Sequence, residues 1–151
     1  MTGLVSVSDH VQAVVDHLND DELGSLNAGR GVPPEVYGWQ GAPGQSQFVP
    51  YCIVWRIGSK DAVNRDIDDV LATEGRLSIF IRCFGGTVAQ VEDHLDELHA
   101  RMLSGLTVPG RHVVWVRMEN GQTSTRSDDV EVTKFEAGNF YRLRTRPDGE
   151  E

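Results

Sequence analysis

The chain has 151 residues, of which 39% are hydrophobic and 25% charged, an ordinary globular composition for one domain. This balance excludes disordered, fibrous and disulfide-rich classes of protein. The net charge of −9 argues against a protein that wraps nucleic acid generically, because such proteins need a surplus of lysine and arginine. Neither composition nor any single motif identifies an activity.

Two cysteines, Cys52 and Cys83, are too few for a disulfide framework, and both lie in apolar segments. We expect buried, reduced thiols that act as small hydrophobic side chains, whereas a bridge would need an oxidising compartment. The N-terminus carries no secretory signal, and no apolar run approaches the roughly 20 residues that span a bilayer. These features predict a protein that is made and folded in the cytosol.

The first half of the chain predicts one helix and one long strand. The helix is expected over Val7–Leu18, where apolar residues recur at steps of three and four. Residues 24–47 are rich in glycine, proline, serine and glutamine, and leave room for a short strand at Val36–Trp39. Phe48–Ile57 alternates like a strand whose two faces are both covered. The polar segment Gly58–Gly75 is expected to be a long loop or hairpin arm, mobile in the free subunit.

The second half predicts a strand, a helix and three further strands. Arg76–Phe84 alternates most clearly, and Gly85-Gly86 ends it. Thr87–Leu103 reads as a helix, with Thr87 and Gln90 in a capping-box spacing. The remaining predicted elements are strands at Arg111–Met118, Asp129–Phe135 and Phe140–Thr145, with turns at Asn120-Gly121 and Gly138-Asn139.

This order of elements predicts an α+β fold. We expect a mainly antiparallel sheet with two helices packed on one face, plus the long loop or hairpin arm. Residues 1–146 are predicted to form a single domain, and residues 147–151 a frayed C-terminal tail.

No motif predicts a catalytic, cofactor-binding or metal site, so we expect neither an enzyme nor a cofactor. The histidine pairs His10/His17 and His94/His99 lack a metal-ligand spacing, and His10 and His17 are expected at the surface. The acidic residues of the second helix lie opposite its apolar stripe and are expected to form a solvated side. They are Glu92, Asp93, Asp96 and Glu97.

One pattern is unusual for a structural strand. Arg142, Arg144 and Arg146 alternate with uncharged residues, so three cations lie on one face of the last predicted strand. Such a row repels itself unless carboxylates face it. Two interpretations stay open: a sheet face paired with the domain's own acidic residues, or a contact surface for an acidic neighbour. The long loop supplies acidic candidates for that contact: Asp61, Asp66, Asp68 and Asp69.

An ordered set of segments runs along nearly the whole chain. It comprises the helix ending near Leu18, Val36-Tyr37-Gly38-Trp39 with Pro43, Pro50-Tyr51, Arg56-Ile57-Gly58, Leu77–Phe84 with Gly85, Thr87-Val88-Ala89-Gln90-Val91-Glu92, Met102-Leu103, Pro109-Gly110-Arg111, Asp128-Asp129-Val130 and Phe140–Thr145. In this set the chain resembles the tail terminator (tail completion) proteins of long-tailed, non-contractile bacteriophages. It departs from them at Lys60–Glu74, where a shorter glycine-rich turn is expected.

The resemblance implies a small α+β subunit that assembles as a homohexameric ring and uses no cofactor. Such a ring caps the tail tube, ends its polymerisation and joins the tail to the head. The implied partners are further copies of the chain, the major tail tube protein and the head-side connector or stopper protein. DNA only passes through the lumen, and no membrane is involved.

The implied location is the tail–neck region of the virion, after assembly in the host cytoplasm. Two alternatives stay open. One is another head–tail joining component, such as a stopper or a tail-tube-like protein. The other is a small intracellular binding domain, whose signature would be a closed apolar pocket with a few polar groups.

Overall fold

The computed structural model describes residues 5–41, 47–57, 70–71, 75–129 and 132–147. Its two helices are α1, Val7–Leu18, and α2, Val88–Met102. The strands are β1 Val5–Ser6, β2 Ala28–Arg30, β3 Gly38–Gln40, β4 Gln47–Val49, β5 Tyr51–Arg56, β6 Val70–Leu71, β7 Gly75–Gly85, β8 Arg111–Asp129 and β9 Val132–Pro147. The predicted long loop, apart from the short β6 and Gly75, lies outside the described residues.

The main sheet has five strands in the order β2-β5-β7-β9-β8. Only the β2–β5 pair in this sheet is parallel, and the three other pairs are antiparallel. Two small two-stranded sheets, β1-β6 and β3-β4, accompany it. Both helices pack on one face of the main sheet, so the α+β fold predicted from the sequence is confirmed.

The main core lies between the helices and that face. It combines side chains from both helices with alternating residues of the central strands: Val11, Val14, Leu18, Val91, Leu98 and Met102 from the helices, and Cys52, Val54, Leu77, Ile79, Ile81, Cys83, Tyr141 and Leu143 from the sheet. Burying one large aliphatic side chain of this kind contributes about 1.5–3 kcal/mol. The predicted three-four spacing of the helices and the alternation of β5 and β7 are therefore what builds the core.

Helix α2 begins at the predicted cap. Thr87 Oγ1 accepts a hydrogen bond from the backbone N–H of Gln90 at 3.1 Å, and Gln90 Oε1 accepts one from the N–H of Gly86 at 2.7 Å. These bonds satisfy backbone donors that a helix start leaves unpaired. The helix ends at Met102, and Gly105 then takes a φ of +72° that favours glycine.

The two predicted turns in the last third of the chain are wrong. Asn120-Gly121 lies inside β8 and Gly138-Asn139 inside β9, because long-range pairing overrides the local turn preference. Near Asn120 the register shifts by a bulge instead of reversing. Asn139 is buried, and its Nδ2 donates to the Tyr141 hydroxyl at 2.9 Å.

Gly138 is needed for packing, not for a turn. A Cβ at this position would lie 2.6 Å from Cζ of Phe80 on β7, so the glycine makes room for that ring. The strand then continues through the predicted last strand to Pro147, which is buried. Pro147, predicted as the first residue of the frayed tail, is therefore part of β9. Residues 148–151 lie outside the described part of the chain.

We expect Gly138→Ala to lower the free energy of unfolding by about 1–3 kcal/mol, because the added methyl group overlaps the Phe80 ring. Urea denaturation measures the loss. Phe80→Leu removes the far end of the ring, so the same alanine should cost less in that background. An equal loss in both backgrounds would show that the Phe80 contact is not the reason for the glycine.

The prediction of a surface position for His10 is wrong. His10 is fully buried, and its Nε2 lies 2.8 Å from Oγ1 of Thr145 on β9. The same hydroxyl accepts a hydrogen bond from Nε of the buried Arg111 at 3.3 Å. The helical periodicity places His10 at the border of the apolar stripe, and the packing of α1 against the sheet covers it.

Candidate subunit interface

The sheet face that points away from the helices has an aromatic half. Tyr51 stacks on Phe84 with ring centroids 4.5 Å apart, and Phe80 contacts Phe140 at 4.4 Å. Trp55 stacks on Phe80 at 6.1 Å. Burial in this cluster raises the pKa of Tyr51 to about 12, so its hydroxyl stays protonated at neutral pH. This half of the face is a second, smaller core.

The other half of that face carries a concentration of arginines. Arg144 of β9 is paired with Arg76 of β7, and Arg142 is paired with Arg117 of β8. Arg146 follows on the same side of β9. We name this surface the arginine face, and its members are Arg76, Arg117, Arg142, Arg144 and Arg146. Like charges directly opposite each other destabilise a sheet unless neighbouring groups compensate them.

A groove of about 460 Å³ runs across the arginine face. Glu119 is the one carboxylate among the described residues that line it, and its Oε1 lies 2.6 Å from Nε of Arg142. Arg117 is exposed, and its guanidinium stacks 4.3 Å above the Trp115 ring. Arg142 is therefore paired with an acidic residue of its own domain, whereas the Arg117 side chain is exposed to solvent.

Strict alternation along β8 would place Arg117 on the helix side of the sheet and not on the arginine face. The sequence pattern puts Val113 and Trp115 on one face, but in the structure Val113 pairs with Thr145 on the helix side and Trp115 pairs with Arg144 on the arginine face. A bulge between Val113 and Trp115 inserts one extra residue and moves the side chains from Trp115 to Met118 to the opposite face, until the next register shift, between Met118 and Asn120. A bulge at this point has no clear signal in the sequence.

The structure describes only the basic half of the predicted contact between arginines and aspartates. Arg142, Arg144 and Arg146 share one side of β9 and are all half-buried. Asp61, Asp66, Asp68 and Asp69 lie outside the described residues.

A second charged surface lies on the opposite side of the domain. The acidic residues of α2 are all exposed and point away from the sheet, because Val91, Leu98 and Met102 bury the other side of the helix. We name this surface the acidic helix side, and its members are Glu92, Asp93, Asp96 and Glu97. Within the described ranges, none of the four forms a salt bridge. The domain therefore separates charge across its thickness.

The grooves beside α2 and on the arginine face are both open to solvent, unlike the closed apolar pocket expected of a small binding domain. A groove of about 570 Å³ beside α2 is open to solvent and mixes apolar residues with Asn27, Gln90, Asp93 and His94. In the part of the chain that the structure covers, no three histidine, cysteine or acidic side chains are grouped so that they could hold a metal ion. None of the helices described there is both long and apolar enough to cross a membrane.

Comparison of the sequence with protein-family models and with curated proteins finds no match. Comparison with solved structures finds similar chains, one of them in the virion of a native gene transfer agent particle. That chain is 11% identical to this one. The match covers 93% of this chain and 92% of that chain, with a TM-score of 0.50. At this identity the likeness shows a shared fold over nearly the whole length of both chains.

Proposed function

We propose that this protein is a structural virion component that forms a hexameric ring, caps the phage tail tube, ends tube polymerisation and joins the tail to the head-side connector. The observation that carries the proposal is the shared fold, over nearly all of both chains, with a chain of a gene transfer agent virion. The ordered segments that resemble tail terminators support the finer assignment. The protein acts by assembly and transforms no substrate.

The charge distribution suggests how copies meet in the ring. The arginine face and the acidic helix side lie on opposite sides of the sheet, so one copy can present either sign to a neighbour. A two-fold contact of the arginine face with itself would bring like charges together, whereas a head-to-tail contact pairs opposite charges. We infer that the arginine face of one subunit contacts the acidic helix side of the next.

The remaining partners follow from the same proposal. One rim of the ring contacts the major tail tube protein and the other contacts the connector or stopper protein. The aspartates of the long loop, Asp61, Asp66, Asp68 and Asp69, are proposed as a further contact of the assembled ring. The excess of negative charge in each copy disfavours adhesion of DNA that passes through the lumen.

The ring itself is tested with the full chain and polymerising tail tube protein. Light scattering and native mass spectrometry should report a hexamer, alone or on the tube. Electron microscopy should show rings at tube ends and shorter tubes as more of the protein is added. A protein that stays monomeric at high concentration and leaves tube length unchanged would overturn the proposal and favour a small binding domain. A ring that ignores the tube but binds a connector would favour a stopper.

Arg144→Glu is expected to weaken ring assembly at least tenfold while changing Tm by only a few degrees. The substitution reverses one charge on the arginine face, whereas the Arg144 side chain is only half-buried. Arg144→Lys keeps the charge and serves as the matched control, with a smaller loss of assembly. A sharp fall in Tm with unchanged ring formation per folded subunit would rule out the interface role.

A further inference from the structure

Two cysteines face each other at the centre of the sheet. Cys52 on β5 is paired with Cys83 on β7, and both side chains are fully buried on the helix side. Neither forms a disulfide in this structure. The prediction that both thiols are buried is confirmed, but the pairing of the two positions could not be read from the sequence.

The backbone hydrogen bonds show what kind of pair this is. The N–H of Cys52 donates to the carbonyl of Asn27, and the carbonyl of Val54 accepts from the N–H of Gly31. The backbone polar groups of Cys52 and Val54 therefore point toward the β2 side and away from β7. The Cys52–Cys83 pair is consequently a non-hydrogen-bonded pair of the β5–β7 ladder, the kind with the closer side chains and a Cα–Cα separation of about 4.5 Å. Disulfides span Cα–Cα separations of roughly 4.4–6.8 Å.

The two thiols differ in their surroundings. Cys52 Sγ donates to the Leu26 carbonyl at 3.6 Å, and His94 Nε2 donates to the same carbonyl at 2.9 Å. Hydrogen bonding with Cys83 lowers the pKa of the Cys52 thiol, and His94 lowers it further against the opposing effect of burial. The contact with Cys52, together with burial, raises the pKa of the Cys83 thiol. Cys52 is therefore the more acidic thiol of the pair.

A route from solvent ends beside this pair. The groove of about 570 Å³ next to α2 is lined by Leu26 and His94, the two residues whose polar atoms meet at Cys52. His94 is 9% exposed, lines that groove and contacts the Cys52 thiol, so the buried pair lies one side chain from the groove.

We propose that Cys52 and Cys83 form an oxidisable dithiol that a small hydroperoxide converts to a cross-strand disulfide within one folded subunit. The Cys52 thiolate attacks one peroxide oxygen, so that an S–O bond forms and the O–O bond breaks. The leaving oxygen takes up the proton that Cys52 lost on ionising and departs as water or an alcohol. The Cys83 thiol then attacks the sulfenic sulfur of Cys52. The S–S bond forms, the S–O bond breaks, and the hydroxyl leaves as water with the Cys83 proton. The two thiols lose two electrons, which the peroxide gains.

The disulfide would covalently cross-link two central strands of the main sheet. The bridge would join β5 to β7 and close the chain segment between them, which includes the long polar loop. This inference does not rest on the proposed function. If the protein is a virion part, the change would follow its transfer from the reducing host cytoplasm to the oxidising exterior.

The test treats the folded, full-length protein with an excess of hydrogen peroxide. Free-thiol titration should fall from two thiols to none, the intact mass should fall by two hydrogen atoms, and peptide mapping should find Cys52 linked to Cys83. Because the bridge restricts the unfolded chain, Tm should rise by about 10 °C and return on reduction. Cys83→Ala is the matched control, in which Cys52 should gain oxygen as a sulfenic or higher acid, with no bridge and no rise in Tm.

Several outcomes would overturn the inference. They are a Tm that stays the same or falls, thiols that react only after unfolding, or bridges that join two copies in place of one. Peptide mapping and Tm of the unaltered chain decide the matter even if the Cys83→Ala variant fails to fold.

Discussion

An equimolar mixture of two assembly-defective variants is expected to form rings that neither variant forms alone. The helix-reversed variant carries Glu92→Arg and Asp96→Arg, and the sheet-reversed variant carries Arg117→Glu and Arg146→Glu. Each variant alone loses the charge complementarity of the contact and places like charges opposite each other at the reversed positions, which costs several kcal/mol and strongly weakens assembly. In the mixture, the glutamates of one variant meet the arginines of the other, and unaltered surfaces meet at the alternate contacts.

The folded subunit should tolerate both variants. Glu92 and Asp96 are exposed on α2, and arginine is a better helix former than aspartate. Arg117→Glu loses the stack on Trp115, but places a carboxylate opposite Arg142 and removes a pair of like charges. We expect circular dichroism to be unchanged and Tm to shift by only a few degrees in each variant.

Native mass spectrometry with isotopically labelled subunits reads out the mixture. Complementation should give three copies of each variant in an alternating hexamer, because an alternating ring needs an even number of subunits. Mixing the unaltered protein with either variant is the control and should give poor incorporation. If each variant forms rings alone, the proposed contact between subunits is wrong, but the proposed ring is not. If the unaltered protein never forms a ring, even on the tail tube, the proposed function itself is wrong.

Gly29→Ala is expected to lower the free energy of unfolding by about 3 kcal/mol or more. Gly29 lies in β2, and the chain folds back over it immediately afterwards. A Cβ at this position would overlap the carbonyl oxygen of Val32 and lie 2.8 Å from the backbone nitrogen of Pro34. Because these are backbone atoms of a turn that contains two prolines, they cannot move aside cheaply. Urea denaturation measures the loss.

Gly31→Ala is the matched control two residues away. Gly31 has a φ of +69°, but a Cβ there meets nothing within 4 Å, so only the left-handed backbone conformation is penalised, at about 1–2 kcal/mol. Gly29→Ala should therefore be clearly the more damaging of the two. Equal losses, or a larger loss at Gly31, would show that the turn relaxes around Gly29 and that close packing does not explain this glycine.

The sequence was most informative where local periodicity and the core demand the same thing. The predicted α1 matches the observed helix, the predicted α2 extends only one residue beyond it at each end, and Thr87 caps it as its spacing indicated. The alternation within Phe48–Ile57 predicted that both faces of β5 are covered. In each case the residues that set the local pattern are also those that fill the main core, so local and global preferences agree.

Prediction failed where long-range contacts override a local preference. The dipeptides Asn120-Gly121 and Gly138-Asn139 are turn formers in isolation, yet both lie inside paired strands. Gly138 is explained by the ring of Phe80, which lies 58 residues earlier in the sequence. The bulge after Val113 likewise exists only in the pairing of β8 with β9, and it decides that Arg117 joins the arginine face.

By itself, the sequence determined the fold class, both helices, the central strands and the three arginines on one side of the last strand. These properties follow from spacing along the chain, because helix and strand periods fix which side chains share a face. The tertiary structure alone decided which distant residues meet. It pairs Arg76 with Arg144 and Cys52 with Cys83, and it puts the arginines and the α2 carboxylates on opposite sides of one sheet. Strand order and register set these relations, and no local pattern encodes them.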